Sequence, residues 1–330
     1  MTLRGQEAQR GAWIAAMDGP RLHHGWLLTG PKGVGKATFA HWAGRRLLGA
    51  ADDQSQGARL IAARAHPDFK LVEREMWDKS NPPRIVPYDQ RKDGDQPARS
   101  IRIAQIRMLE PILALSPSLG ERRVVIIDAA DDLERSAANA LLKMLEEPPA
   151  GTVFLLISHA SGRLLPTIRS RCRVLRFAPL ADDVMAAVLE EALPEVEAKE
   201  RAALLAAAHG SPGEALRLAG SDLARTEDIL TRIAESGDPD NADRSALSKA
   251  LGVKAATARY ETFLQRAPAF IAWQARRRSG EDLARAIEQW TRAQRLAAVA
   301  LPQSLPPEAV VFELCGMVAA LARKGTRAKA

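Results

Sequence analysis

The stretch GWLLTGPKGVGKAT, residues 25–38, decides how the chain is read. Its first six residues are an apolar run between glycines, which predicts a buried strand over 25–30. From Lys36 the pattern turns helical: Phe39, Trp42, Ala43 and Leu47 share a face, and Gly49 stands where a helix would stop. Between strand and helix lies Gly-x4-Gly-Lys, with Gly30, Gly35 and Lys36 in register and a further glycine at Gly33. A loop of this kind offers backbone N–H groups and a helix N-terminus to phosphate oxygens, and its lysine reaches the terminal phosphates. The motif then asks for Ser or Thr, whose hydroxyl holds Mg²⁺, but residue 37 is alanine. Thr38 comes one place late, and one helical residue turns a side chain by about 100°, away from the phosphates. The loop predicts a nucleotide-binding architecture short of a metal ligand. Weak ATP or ADP binding through the backbone and Lys36 stays open, with no cofactor required.

Working outward, short apolar runs alternate with helical patterns through the first half, the signature of a parallel α/β sheet. Strands are predicted over 68–73, 122–128, 152–158 and 173–180, and a helix over 137–149 that ends at two prolines. Ile103, Ile106 and Leu109 share a helical face that Pro111 kinks or ends. The polar, proline-rich residues 74–99 read as a long surface loop. After Leu180 only helices are predicted: 182–193, 197–208, one opened by Ser211 as cap with Pro212 and Glu214 behind it, one lining up Leu283, Ile287, Trp290 and Gln294, and 306–322. The polar stretch 235–244 reads as a linker, and the basic tail RKGTRAKA as frayed. The layout is an α/β parallel-sheet domain, a small helical domain and a C-terminal all-helical domain.

A chain of 330 residues has room for these three. No run of about 18 apolar residues exists to span a membrane, and the N-terminus lacks the apolar core of a signal peptide, so a cytoplasmic protein is expected. Two cysteines, Cys172 and Cys315, cannot build a disulfide framework or a four-thiolate zinc site, so no bound metal is expected. The net charge of +7 suits a polyanionic partner such as DNA, met as one member of an assembly, although the excess is scattered. His23 and His24 lack a cysteine or carboxylate at ligand spacing and are read as packing residues. Trp273 and Trp290 are read as core or interface, and Arg276, Arg277 and Arg278 either as a contact for DNA or an acidic neighbour or as a solvated helix face.

The companion of a phosphate loop is an apolar strand ending in acids, an aspartate for Mg²⁺ and then a glutamate that polarises the attacking water. VVIIDAAD, residues 124–131, supplies Asp128 but follows it with Ala129 and Ala130, and an alanine cannot act as a base. Asp128 either belongs to the nucleotide site or merely closes its strand. Both gaps point to a site that does not hydrolyse.

NALLKMLEEPP, residues 139–149, followed by a buried strand and TIRSRC, residues 167–172, resembles the clamp-loader family of AAA+ proteins. The resemblance covers most of residues 1 to 220 and is most specific over 120–180. It implies an AAA+ (P-loop NTPase-like) domain over 1–180, a helical lid over 181–235 and a helical oligomerisation collar over 236–330. Ser170, Arg171 and Cys172 match the family's arginine-finger tripeptide, which would make Arg171 catalytic in trans, neutralising charge on a neighbour's γ-phosphate. Ser158 matches a γ-phosphate sensor, and Gly213 stands where hydrolysing relatives carry an arginine after Gly-Ser. Gly30, Gly33, Gly35, Lys36, Thr38 and Asp128 then form a degenerate nucleotide site. The implied partners are the tau/gamma and delta subunits of a clamp loader, with the sliding clamp and primed DNA reached through the assembly. The competing readings are an active tau/gamma-like ATPase subunit and a stand-alone DNA-binding protein.

Overall fold

The computed structural model describes residues 3–77, 85–86, 96–220 and 222–322. The basic tail and most of the middle of the polar stretch 74–99 lie outside the described residues. Among the described residues the strands are β1 Gly25–Thr29, β2 Phe69–Glu73, β3 Met76–Trp77, β4 Ile85–Val86, β5 Gln96–Pro97, β6 Arg123–Asp128, β7 Thr152–Ser158 and β8 Arg173–Arg176. Five form one parallel sheet in the order β2-β6-β7-β1-β8.

The period-2 geometry of a strand sends alternate side chains to opposite faces, and each face here has its own core. Trp26 and Leu28 of β1, Val124 and Ile126 of β6, and Val153, Leu155 and Ile157 of β7 join Trp13 and Phe39 on one side. Leu27, Val125, Ile127, Phe154 and Leu156 join Ile106, Leu141 and Ile168 on the other. Continuous apolar runs in the sequence are thus strands buried on both faces.

The reading of 74–99 as a bare loop needs correction, because β3 pairs antiparallel with both β4 and β5. Two-residue strands carry no periodicity that a sequence pattern can register. The helix around Ile106 is also two helices, Ile103–Arg107 and Glu110–Leu113, and Pro111 sits in the first turn of the second, where its missing N–H costs nothing.

The chain divides into two compact units, Met1–Ala192 with His209–Glu214, and Leu193–Ala208 with Ala215–Ala330. In the second, the helices Leu223–Ser236, Ala242–Gly252, Thr257–Ala275, Gly280–Ala300 and Pro307–Ala319 surround a core that includes Leu230, Ile233, Leu251, Phe263, Ile271 and Leu314. The expected linker at 235–244 is instead a built turn between the helices Leu223–Ser236 and Ala242–Gly252. Buried Asp238 accepts from the N–H groups of Asp243 and Arg244 and from Arg244 Nε, at 3.1, 3.1 and 3.2 Å. Trp273 and Trp290 are not core residues of this chain: they are 44% and 37% exposed, and Arg277 stacks over the Trp273 ring at 3.6 Å. Among the described residues no helix is long and apolar enough to cross a membrane.

Candidate functional site

The C-terminal ends of β1, β6 and β7 carry the predicted nucleotide residues. In an open parallel sheet this is the edge at which ligands bind. Gly30, Gly33 and Gly35 all adopt positive φ, at 148°, 82° and 98°. A side chain at Gly30 would put its Cβ 2.2 Å from the Phe177 carbonyl oxygen, so only glycine lets the chain leave β1 here. The helix Lys36–Leu47 begins directly after Gly35.

Every carbonyl from Gly30 to Val34 accepts a hydrogen bond from this chain. Lys36 Nζ donates to the carbonyls of Gly30 and Pro31 at 2.6 and 2.5 Å. Ser211 Oγ donates to Lys32 at 2.8 Å and the Gly213 N–H to Gly33 at 2.9 Å. Gln6 Nε2 reaches Val34 at 3.3 Å while also donating to Ala178 at 2.9 Å. These contacts hold the loop from within its own chain. Gly213 is packed so closely that an added Cβ would lie 2.8 Å from Gly33 Cα. Ser211, predicted as a helix cap, donates its hydroxyl to the loop.

Lys36 is buried, and burial pulls its ammonium down to about 8 despite opposition from Asp128 and Asp131. Asp128 ends β6 beside Glu73 of β2. Burial first, and then repulsion from Glu73, raise its carboxyl above the ordinary range, with Lys36 opposing. Ala37 is partly buried against the sheet's core, and Ala129 and Ala130 are buried. The residues present fit a phosphate group through glycine backbone and lysine. For Mg²⁺ the hydroxyl ligand is absent at Ala37, while Asp128 ends β6 with Glu73 beside it.

Ser158, the sensor candidate, is fully buried and donates to Asp131 at 2.7 Å. Asp131 also accepts from the N–H groups of His159 and Ala160, so it closes the end of β7. His159 lines a cleft of about 570 Å³ with Thr29, Pro31, Ser161 and Arg176. Burial, and then the Lys36 charge, hold its imidazole below the usual range, opposed by Asp131.

The tripeptide read from the resemblance as a finger lies elsewhere. Arg171 follows the helix Pro166–Ser170 and precedes β8, at the N-terminal edge of the sheet. Its carbonyl packs against Gly25, the first residue of β1, where an added Cβ would be 3.0 Å away. With strands rising about 3.3 Å per residue, the length of β1 separates Arg171's backbone from the chain's own loop by on the order of 13 Å. Arg171 Nη1 donates to the Thr167 carbonyl at 3.1 Å and to Ser170 Oγ at 3.4 Å, and Nη2 lies 2.8 Å from Glu146 Oε1. Ser170 is exposed and its Oγ also donates to Thr167. Cys172 packs on the core, and burial pushes its thiol up to about 12, which removes it as a nucleophile. Gly30, Gly33, Gly35, Lys36 and Asp128 are thus brought together with Thr38 on the same helix turn, and Ser170, Arg171 and Cys172 occupy the opposite edge.

Four contributors were missed: Gln6, Ser211 as a loop ligand, Asp131 and Glu146. Only Asp131 left a signal, as the last acid of DAAD; the others act across distances that local patterns do not span. His23 and His24 stack at 4.6 Å, and His24 Nε2 meets the Leu145 carbonyl at 3.0 Å, a packing role.

Residues 5–181 match the family described as DNA polymerase III, delta subunit. The chain is 39% identical over 222 residues to DNA polymerase III subunit delta' of Pseudomonas aeruginosa, covering 64% of this chain and 60% of that one. It is 31% identical over 212 residues to the Bacillus subtilis subunit delta', covering 63% and 57%. The alignments therefore span about three fifths of the length of these relatives. A gamma subunit-related protein of DNA polymerase III from Thermotoga maritima has a similar fold, with TM-score 0.50, 17% identity, and coverage of 96% of this chain and 99% of that one. The fold is that of the AAA+ clamp-loader proteins.

Proposed function

The chain belongs to the DNA polymerase III delta-prime family of clamp-loader proteins, and we propose that it serves DNA replication as a non-hydrolysing subunit of the sliding-clamp loader. In this reading Arg171 completes the ATP site of a neighbouring tau/gamma subunit, the helices after Leu180 form the lid and collar, and the collar also meets the clamp-opening delta subunit. The clamp and primed DNA are reached through the assembly. The observation that carries the reading is the placement of Arg171: it sits at the sheet edge opposite its own loop, half-exposed, so any phosphate it neutralises must belong to another molecule.

The loop supports the other half of the reading. It keeps glycine geometry and lysine, lacks the metal hydroxyl and the base, and is held from outside by Gln6, Ser211 and Gly213. Such a loop binds nucleotide weakly or not at all and acts as fixed framework for moving neighbours.

Two assays test this. The purified chain with Mg²⁺-ATP is expected to show no turnover above its Lys36→Ala control; turnover abolished by Lys36→Ala would favour the tau/gamma-like ATPase reading. In the reconstituted assembly Arg171→Ala is expected to lower the turnover of the one site beside this chain to a small but measurable residual level, leaving the other sites working. Unchanged turnover at every site would remove the finger role.

A further inference from the structure

Glu146 is the last residue of the helix Arg135–Glu146, and Glu147 follows it. Two carboxylates at a helix C-terminus face the negative end of the helix dipole, the wrong end for an anion. A carboxylate is tolerated there most readily when a cation sits against it. For Glu146 that cation is Arg171, with Nη2 2.8 Å from Oε1. The two are 25 residues apart in the chain, reckoned from their numbers, and are brought together by the packing of the helices Arg135–Glu146 and Pro166–Ser170.

A side chain with four rotatable bonds on an exposed edge samples many directions, and ordering it opposes transition-state binding in trans. Arg171 is restrained on both sides of its guanidinium. Thr167 and Ser170, on its own segment, hold Nη1, and Glu146, from another element, holds Nη2. The local bonds can follow the segment wherever it goes. The bond to Glu146 ties the guanidinium to the rigid body of the domain.

Resting on the finger reading above, we propose that Glu146 is a positioning residue for Arg171: its carboxylate sets the direction in which the guanidinium is presented to the neighbouring subunit's phosphate. It touches no substrate. It aims a group that does.

The experiment uses the full assembly reconstituted with this chain as wild type, Glu146→Ala, Glu146→Gln, Arg171→Ala and the Glu146→Ala/Arg171→Ala double variant, with kcat and KM for ATP measured at the neighbouring site. Glu146→Ala is expected to lower kcat several-fold with KM unchanged. Glu146→Gln, which keeps an oxygen acceptor at the same reach, should recover part of that loss. In the Arg171→Ala background the Glu146 substitution should add nothing, an outcome that general damage to the domain would not give. Equal loss in both backgrounds, an unchanged kcat, or a raised kcat (Glu146 competing with the phosphate for the guanidinium) would overturn the proposal. If Arg171→Ala itself leaves turnover unchanged, the finger reading fails first and takes this inference with it; if only the Glu146 variants are silent, the finger reading stands and this inference alone falls.

Discussion

Lys36 shows at the scale of one residue how burial acts on a phosphate-loop lysine. Its ammonium is buried against two carbonyls and titrates near 8, where an exposed lysine titrates near 10.4. A phosphate in the loop would draw the lysine to its charged form. Nucleotide affinity, however weak, is therefore expected to hold steady below about pH 8 and to fall as pH rises through it. The free chain should show the opposite trend in stability: its folded state releases this proton before the unfolded state does, so Lys36's contribution to stability rises from about pH 8 towards the ordinary lysine value. Titrating a fluorescent ATP analogue into wild type and Lys36→Met across that window checks the first half. A flat wild-type profile, or one that Lys36→Met reproduces, would remove Lys36 as the anion's partner. The glycines and lysine of this loop are legible in the sequence because the backbone conformations they serve are local. The burial that shifts the lysine is not local, and no pattern around residue 36 announces it.

Two elements display the same limit more sharply. Arg123 opens β6 and is buried, as is Asp68, and Arg123 Nη2 lies 3.2 Å from Asp68 Oδ1. Arg123 also donates to the carbonyls of Ile112, Leu115 and Ser116, while Asp68 accepts from the N–H groups of Ser118 and Leu119. Burial raises the Asp68 carboxyl, but the two N–H groups and Arg123 outweigh it and leave it below the ordinary range. Its stabilising contribution is thus present above the ordinary aspartate value and is lost as pH falls through the folded one. Asp68→Ala strands a buried guanidinium and is expected to cost about 3–5 kcal/mol in chemical denaturation; a loss below about 1 kcal/mol, the range of exposed pairs, would mean the pair is solvated. The segment carrying Ser211 and Gly213 makes a second case. Because the Cβ of an alanine at 213 would meet Gly33 Cα at 2.8 Å, Gly213→Ala is expected to destabilise by about 1–3 kcal/mol through overpacking. A urea midpoint equal to wild type would show that the segment moves off the loop without cost. Strands and helices with long apolar runs are foreseeable from period alone; β3, β4 and β5 are too short for a period, and the 235–244 turn looks like a linker because its buried anchor, Asp238, is itself polar.

At the scale of the whole molecule, the three departures on which the proposed non-hydrolysing role rests are spread over three elements that meet at one edge of the sheet. Ala37 opens a helix, Ala129 follows β6, and Gly213 belongs to the segment laid on the loop. The first two gaps are legible in the sequence, since a missing oxygen is missing wherever the residue lies. The third is legible only as a departure from a resemblance, and its physical meaning comes from contact: an arginine at 213 would have to occupy space that Gly33 already fills. Restoring chemistry is therefore not a matter of restoring side chains one at a time. Ala37→Ser together with Ala129→Glu returns a metal ligand and a base to the sequence, yet leaves the carbonyls of Lys32, Gly33 and Val34 bound from outside and Lys36 bonded to its own loop. That double variant is expected to hydrolyse Mg²⁺-ATP no faster than the same variant carrying Lys36→Ala, because electrostatic catalysis needs its groups already oriented at the reacting phosphate. Lys36-dependent turnover from the two substitutions alone would show that the contacts of Gln6, Ser211 and Gly213 are permissive, and that only the two missing side chains keep this loop from working.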